Sequence, residues 1–423
     1  MTRQGFRPPG APGLLTEAPC GILGLITKLE SDLSVPAAAS ASVEEGGLRY
    51  IPALDALRGI AIAAVFIHHA LAFPFWAAIV RIPGFHFTPA QTLAVEVTEW
   101  LASGVDLFFV LSGFLITRIL LHTRGNAGYY RAFYISRACR IFPLYYLFLA
   151  LCLALPLWQR PPLGDVPWYL TYLSNHLIFS RGSWQSPILD HTWSLAIEEQ
   201  FYWVWPVVIA LMPRRAIPYV AALIAFGSIA LRFQLTLSGA GEAVVRTFTL
   251  SHLDGIMYGA LLACVSSRRR ATQAGAAFAG AGLVVAVALT VTPSLAAHPA
   301  LLWATALPLA FGGLVGLVLG RAEPQPGSAR SPLQVSLSFL GKYSYCIYLL
   351  QQPVLWTLAS YIAAPLYLST GSLPLVWLAM LVASAPPVIA IAMLSYRVYE
   401  APWLRLKSRL LSMPIAHAPP RPG

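Results

Sequence analysis

The chain reads as an all-α polytopic membrane protein, a transmembrane helix bundle of about ten spans with both termini cytoplasmic. Three observations predict this. Of 423 residues, 57% are hydrophobic and only 11% charged, whereas a soluble domain carries about a quarter charged residues. Apolar runs near the length that crosses about 30 Å of hydrocarbon recur along the whole chain. The basic residues between these runs fall almost entirely on alternate connections, as in a membrane protein oriented by its positive charge.

In chain order, residues 1–50 are rich in Ala, Gly, Ser and Pro, with GILGLITKLESDL as their apolar piece. That piece follows Glu17 and lacks the basic-then-apolar layout of a cleaved signal peptide, so the segment reads as a disordered or peripheral tail. The membrane domain occupies 51–405. Its ten apolar runs are roughly 54–76, 99–121, 141–158, 191–212, 216–235, 251–266, 274–292, 301–320, 336–358 and 375–396. Between them, 159–190 is the longest outward connection, and its DVPWYLTYLSNHLIF carries the Trp and Tyr that favour a membrane interface. A basic, Pro-rich C-terminal tail, 406–423, closes the chain.

With the N-terminus inside, the inward connections and the start of the C-terminal tail, up to Arg409, hold sixteen Arg and Lys residues, from Arg118 and Arg124 through Arg268 to Arg270 and on to Arg409. The outward connections hold four: Arg81, Arg160, Arg181 and Arg246. This bias sets the orientation and accounts for the net charge of +11. No basic-aromatic module accompanies the charge, so the lipid bilayer is the expected partner and nucleic acid is not. The five cysteines are scattered, at 20, 139, 152, 264 and 346, without a C-x-x-C, and predict neither a disulfide framework nor a metal site.

Ionisable groups inside spans are costly and mark candidate sites. In DALRGIAIAAVFIHH, Arg58 and His69 are eleven residues apart, close to three full helical turns at about 100° per residue, so they share a face while His68 points elsewhere. His69 lies seven residues from the outer end of span one. Asp106, in GVDLFFVLSGFLIT, lies seven from the outer start of span two, and Glu198, in DHTWSLAIEEQFYWVWP, seven past His191. Three titratable groups thus share one depth, about 10 Å below the outer boundary. Such groups often hold helices together by hydrogen bonds, but three at one level suit an acid-base site. There His69 takes a proton and Asp106 or Glu198 orients its ring. Offsets of four and seven place His191, Ser194, Glu198 and Tyr202 on one face, with Glu199 on another. On the inner side, Arg137 and Arg140 are three apart, a spacing able to grip phosphate and equally a topology signal. His252 and Asp254 open span six on the outer side, where they could meet a substrate or cap the helix.

LDALRGIAIAAVFIHH, GVDLFFVLSGFLIT, SRACRIFPLYY, DHTWSLAIEEQFYWVWP, GKYSYCIYLLQQPV and YRVYEAPW, in this order over about 50 to 405, resemble the acyltransferase-3 family of integral membrane O-acyltransferases. The resemblance implies ten spans in the cell (inner or plasma) membrane and cytoplasmic acyl-CoA as co-substrate, with no bound cofactor. It further implies an acceptor hydroxyl on a carbohydrate or lipid-linked glycan at the outer face. It assigns Arg58 and His69 to the family's essential arginine and histidine, and Arg137 and Arg140 to the donor-side arginines. Glu198 falls in its W-S-L-x-x-E-E-Q-F-Y motif. The expected catalytic group is therefore His69 with Glu198 and Asp106. Arg58, Arg137 and Arg140 bind the donor, while His191, Ser194, Tyr202, His252 and Asp254 support the acceptor side. The fused extracytoplasmic hydrolase-like domain of some members does not follow span ten. The rival readings are a secondary transporter with a buried His and carboxylate proton relay, for which no half-to-half repeat is visible, and a non-catalytic scaffold.

Overall fold

A computed structural model describes residues 48, 50–155, 160–296, 298–321 and 331–412. The predicted N-terminal tail therefore lies almost wholly outside the described residues, as do 413–423 of the predicted C-terminal tail. The protein is an all-helical polytopic membrane protein, with no strand among the described residues. Among the described residues, each of the ten apolar runs lies mostly on helix. They lie on α1 (Pro52–Ala77), α2 (Pro89–Ala102) with α3 (Gly104–Thr123), α4 (Tyr129–Ala154), α5 (Thr192–Leu211) and α6 (Ile217–Leu237). After the short α7 (Glu242–Thr247) come α8 (Asp254–Ala263), α9 (Arg268–Val291), α10 (Pro299–Gly320), α11 (Pro332–Thr370) and α12 (Leu373–Ser395). Among the described residues, seven spans are long and apolar enough to cross a membrane. The other three of the ten runs lie on α5, which carries Glu198, Glu199 and Gln200, on the ten-residue α8, and on α11, which carries Gln351 and Gln352. Past a π-helical turn, α13 (Ala401–Ser412) continues as helix into the segment predicted as a tail, and Arg131 donates to its Leu410 carbonyl at 2.8 Å.

Local sequence signals set where the helices begin. Thr88 and Gln91 form a capping box at the start of α2, and Ser331 and Gln334 another at the start of α11, each followed by a proline at the first helical position. Each box satisfies two of the backbone N–H groups that a helix start leaves unpaired, and the proline has no N–H to lose.

Two close crossings then fix which side chains meet. Where α1 meets α11, a Cβ on Gly59 would sit 1.9 Å from the Leu337 carbonyl oxygen, and one on Gly341 would sit 2.0 Å from that of Asp55. The α3 and α8 crossing is equally tight, with Gly113 against Ile256 and Gly259 against Val110. In lipid, where apolar side chains gain little by leaving their surroundings, such small-residue contacts carry helix association through backbone packing. They set α1 beside α11 and α3 beside α8, which brings Arg58 and His69 to α11 and Asp106 to His252.

A fully buried ion pair ties α6 to α8. Arg232, with a side chain 0% exposed, lies 2.5 Å from Asp254, 1% exposed. Its guanidinium donates to the Ser251 and Ala304 carbonyls, to Thr305 Oγ1 and to both Asp254 oxygens.

Candidate active site

Five helices converge on a cavity of about 100 Å³. Its walls carry Arg58 from α1, Ser112 from α3, Arg137 and Arg140 from α4, Ser194, Glu198, Glu199 and Tyr202 from α5, and Ser344 and Tyr348 from α11. The i, i+3 spacing lets α4 present both of its arginines to one space, and the i, i+4 and i+8 spacing does the same for Ser194, Glu198 and Tyr202. Tyr202 donates to Glu198 Oε2 at 3.2 Å and shares a short hydrogen bond with Ser112 Oγ. Arg58 Nη2 donates to Ser344 Oγ at a long 3.4 Å. Three guanidinium groups and two carboxyl groups thus share one enclosed space, and forked donors of this kind bind phosphate oxygens well.

Glu199 lines the cavity beside Glu198, although the helical wheel sets the two about 100° apart. The cavity wraps around α5 more widely than one helical step, and Glu199 Oε1 has no hydrogen-bond partner.

The two adjacent histidines differ sharply in environment. His68, 8% exposed, donates from Nδ1 to the Thr98 carbonyl on α2 at 3.0 Å. His69 instead faces α11, where Gln352 Nε2 lies 3.1 Å from its Nε2, while its Nδ1 is buried without a hydrogen-bond partner. Arg58 and His69 therefore both point at α11, as their eleven-residue spacing predicts. Ser344, Tyr348 and Gln352 recur every four residues and lie along one face of that helix, covering about 12 Å. Tyr348 lines the cavity, donates to the His191 carbonyl at 2.9 Å and shares a 2.6 Å hydrogen bond with Ser194 Oγ. The His191 ring packs 5.4 Å from that of Tyr348, and both of its nitrogens lack hydrogen-bond partners.

The common depth of His69, Asp106 and Glu198 does not bring the three side chains into hydrogen-bonding contact. Asp106 accepts from His252 Nε2 at 2.9 Å, because the Gly113 and Gly259 crossing sets α3 against α8. Glu198 turns to Tyr202 and the arginines, and the contact on His69 Nε2 comes from an amide rather than a carboxylate. Asp254 is occupied by Arg232 and is not among the residues lining this cavity. Sequence reasoning passed over Gln352, Tyr348, Ser344, Ser112 and Arg232. A signal existed for the first, since two glutamines interrupt the apolar run in YLLQQPV.

Comparison with known proteins adds an independent finding. The family model described as an acyltransferase domain matches residues 51–397. Among similar proteins, YrhL of Bacillus subtilis is 35% identical over 176 residues, covering 38% of this chain and 24% of that protein. Peptidoglycan O-acetyltransferase OatA of Listeria monocytogenes is 33% identical over 172 residues, covering 37% and 24%. O-acetyltransferase OatA of Staphylococcus aureus is 30% identical over 206 residues, covering 42% and 29%. The match thus spans 24% to 29% of the length of these relatives. No solved structure matches.

Proposed function

Because the chain belongs to the acyltransferase family whose domain covers residues 51–397, we propose that it is an acyl-CoA-dependent O-acyltransferase of the cell membrane. It moves an acetyl group from cytoplasmic acyl-CoA to a hydroxyl of a carbohydrate or lipid-linked glycan at the outer face. The names of the OatA relatives support acetyl as the group transferred and a cell-wall glycan as the acceptor.

One observation carries this reading. A single face of α11 links the arginine cavity to His69 through Ser344, Tyr348 and Gln352. The distribution of basic residues supports cytoplasmic termini, with Arg137 and Arg140 toward the inner side and His69 toward the outer. Arg137, Arg140 and Arg58 hold the donor's phosphates. The extended arm of the donor lies along Tyr348 and brings the thioester to His69, where acceptor and donor meet in a fixed orientation.

His69 removes the acceptor's hydroxyl proton as that oxygen attacks the thioester carbonyl. The carbon–sulfur bond breaks, and the imidazolium returns the proton to the leaving thiolate. For this the ring must keep one lone pair, and Gln352 sets which. Amide oxygen and nitrogen are assigned from their hydrogen bonds, and Gln352 Oε1 has no partner as oriented. With the amide turned over, Oε1 accepts from His69 Nε2–H and leaves Nδ1 as the base. The amide nitrogen then faces His191, the next polar ring within reach of Gln352.

Two variants test the reading side by side. His69→Ala is expected to lose about 10²- to 10⁴-fold in turnover, the usual contribution of a general base, with donor binding retained. His68→Ala should be mild, because that ring bonds to a backbone carbonyl and faces away. Free-thiol release from acetyl-CoA in the presence of a glycan acceptor measures both. An active His69→Ala protein, or equal losses in the two, overturns the assignment.

A further inference from the structure

A second cavity, of about 230 Å³, lies beyond the first turn of α3. It touches Ala102 at the end of α2, Val105 and Asp106 at the start of α3 and Trp193 at the start of α5, while the arginine cavity takes positions further along α3 and α5. Val105 lines both, so the two spaces are divided by that turn. Glu242 and Arg246, also in its wall, belong to a connection that the charge bias assigns to the outer side.

The lining defines the chemistry of an occupant. His252 is buried, 4% exposed, and its Nε2 lies 2.9 Å from Asp106 Oδ1; in the neutral ring with Nε2–H donating to Asp106, Nδ1 carries the lone pair. That nitrogen has no hydrogen-bond partner. It is an acceptor awaiting an O–H or N–H donor. Trp193 and Trp303 supply flat apolar surface. Arg246, its side chain 16% exposed, lies over the Trp303 ring at 5.2 Å and within 3.8 Å of Glu99 and 3.4 Å of Glu242. Arg246 is already matched by Glu99 and Glu242, and Asp106 adds a further carboxylate to the wall, so an anionic headgroup is disfavoured; the rest of the wall is largely apolar and faces these polar groups. What remains is a neutral molecule with hydroxyl groups at its edge and an apolar face, which describes a pyranose ring. The volume is below the roughly 300 to 1,000 Å³ of sites for drug-sized ligands, which suits a single ring rather than a long polymer segment.

We propose that the cavity formed by Asp106, Trp193, Arg246, His252 and Trp303 binds one neutral pyranose unit of the acceptor, with His252 Nδ1 accepting from a ring hydroxyl. This rests on the reading of the chain as a carbohydrate O-acyltransferase, and it places the acceptor on the opposite side of Val105 from the donor. It also gives the Asp106–His252 pair a role in holding the acceptor, distinct from the proton transfer at His69.

The test is a pair of titrations on the full chain purified in detergent, one with acetyl-CoA and one with trimers of β-linked glucose and of N-acetylglucosamine. Wild type is expected to bind acetyl-CoA and at least one trimer. Trp303→Ala should weaken the trimer by about tenfold, the scale of losing an aromatic contact, while acetyl-CoA affinity stays unchanged and reports an intact fold. Trp303→Phe should restore most of the trimer binding. If wild type binds neither trimer, or if Trp303→Ala binds it as wild type does, the proposal is overturned. Trimer binding that depends on Trp303 in a protein that fails to bind acetyl-CoA would leave this site standing and remove the acyl-CoA half of the proposed function.

Discussion

Arg232 and Arg58 are both arginines held within the helix bundle, and they are used in opposite ways. Arg232 makes six hydrogen bonds of 3.2 Å or less, two of them to Asp254, and its side chain is wholly enclosed. Arg58 makes one of 3.4 Å to Ser344 and lines a cavity. A charge inside a membrane protein is stable only when its donors are satisfied. Arg232 is satisfied by the fold, so its role is to join α6 to α8. Arg58 has most of its forked hydrogen-bonding capacity left for a ligand. The contrast separates structural from functional ionisable groups better than burial does.

The sharpest way to break the comparison is Arg232→Met. It strands the Asp254 carboxylate in a closed interior, and losing one partner of a buried pair costs about 3 to 5 kcal/mol. A thermal unfolding midpoint well below wild type, or loss of folded protein in detergent, is expected. Adding Asp254→Leu should recover part of the loss, because no buried charge then remains unpaired. Arg58→Met should unfold close to wild type. If Arg232→Met unfolds like wild type, hydrogen-bond satisfaction does not distinguish the two residues.

Next in size is the effect on the donor. Replacing Arg137 and Arg140 together with Gln removes two charged donors worth about 1.5 to 3 kcal/mol each, and acetyl-CoA affinity should fall accordingly by calorimetry. Arg58→Lys keeps the charge but loses the fork, and should weaken binding less. Neither change should lower the unfolding midpoint. Unchanged donor affinity in the double variant would make these arginines signals of topology alone.

The helices were legible because span length and composition are dictated by the bilayer itself, and among the described residues all ten apolar runs lie mostly on helix. The facing of Arg58 and His69 was legible too, since it depends only on turns within one helix. Partners were not. The depth of Asp106 is one coordinate, and its meeting with His252 needs the order of helices around the bundle, set by Gly113 and Gly259. Arg232 and Asp254 sit in separate spans, and nothing in either span names the other. Glu199 was set aside by a wheel argument that assumes a narrow site, whereas the cavity reaches across two neighbouring positions of α5.

The smallest predicted effect concerns Gln352, which acts only through His69. Gln352 is 5% exposed, so leucine, similar in size, fills its place without opening a large void. What Gln352→Leu removes is the contact to His69 Nε2. A hydrogen bond of this kind contributes about 0.5 to 1.5 kcal/mol, which corresponds to roughly two- to tenfold in rate. The loss should appear in kcat, with the KM for acetyl-CoA unchanged, because the arginine cavity is untouched. Gln352→Glu separates orientation from packing. It returns an oxygen able to accept from Nε2–H, so it should regain activity, whereas a role in packing alone would let leucine perform as well as glutamine. If Gln352→Leu keeps full kcat, or Gln352→Glu falls as far as leucine does, the amide does not set the tautomer of His69, and its ring must be held by Gln351 or His191 instead.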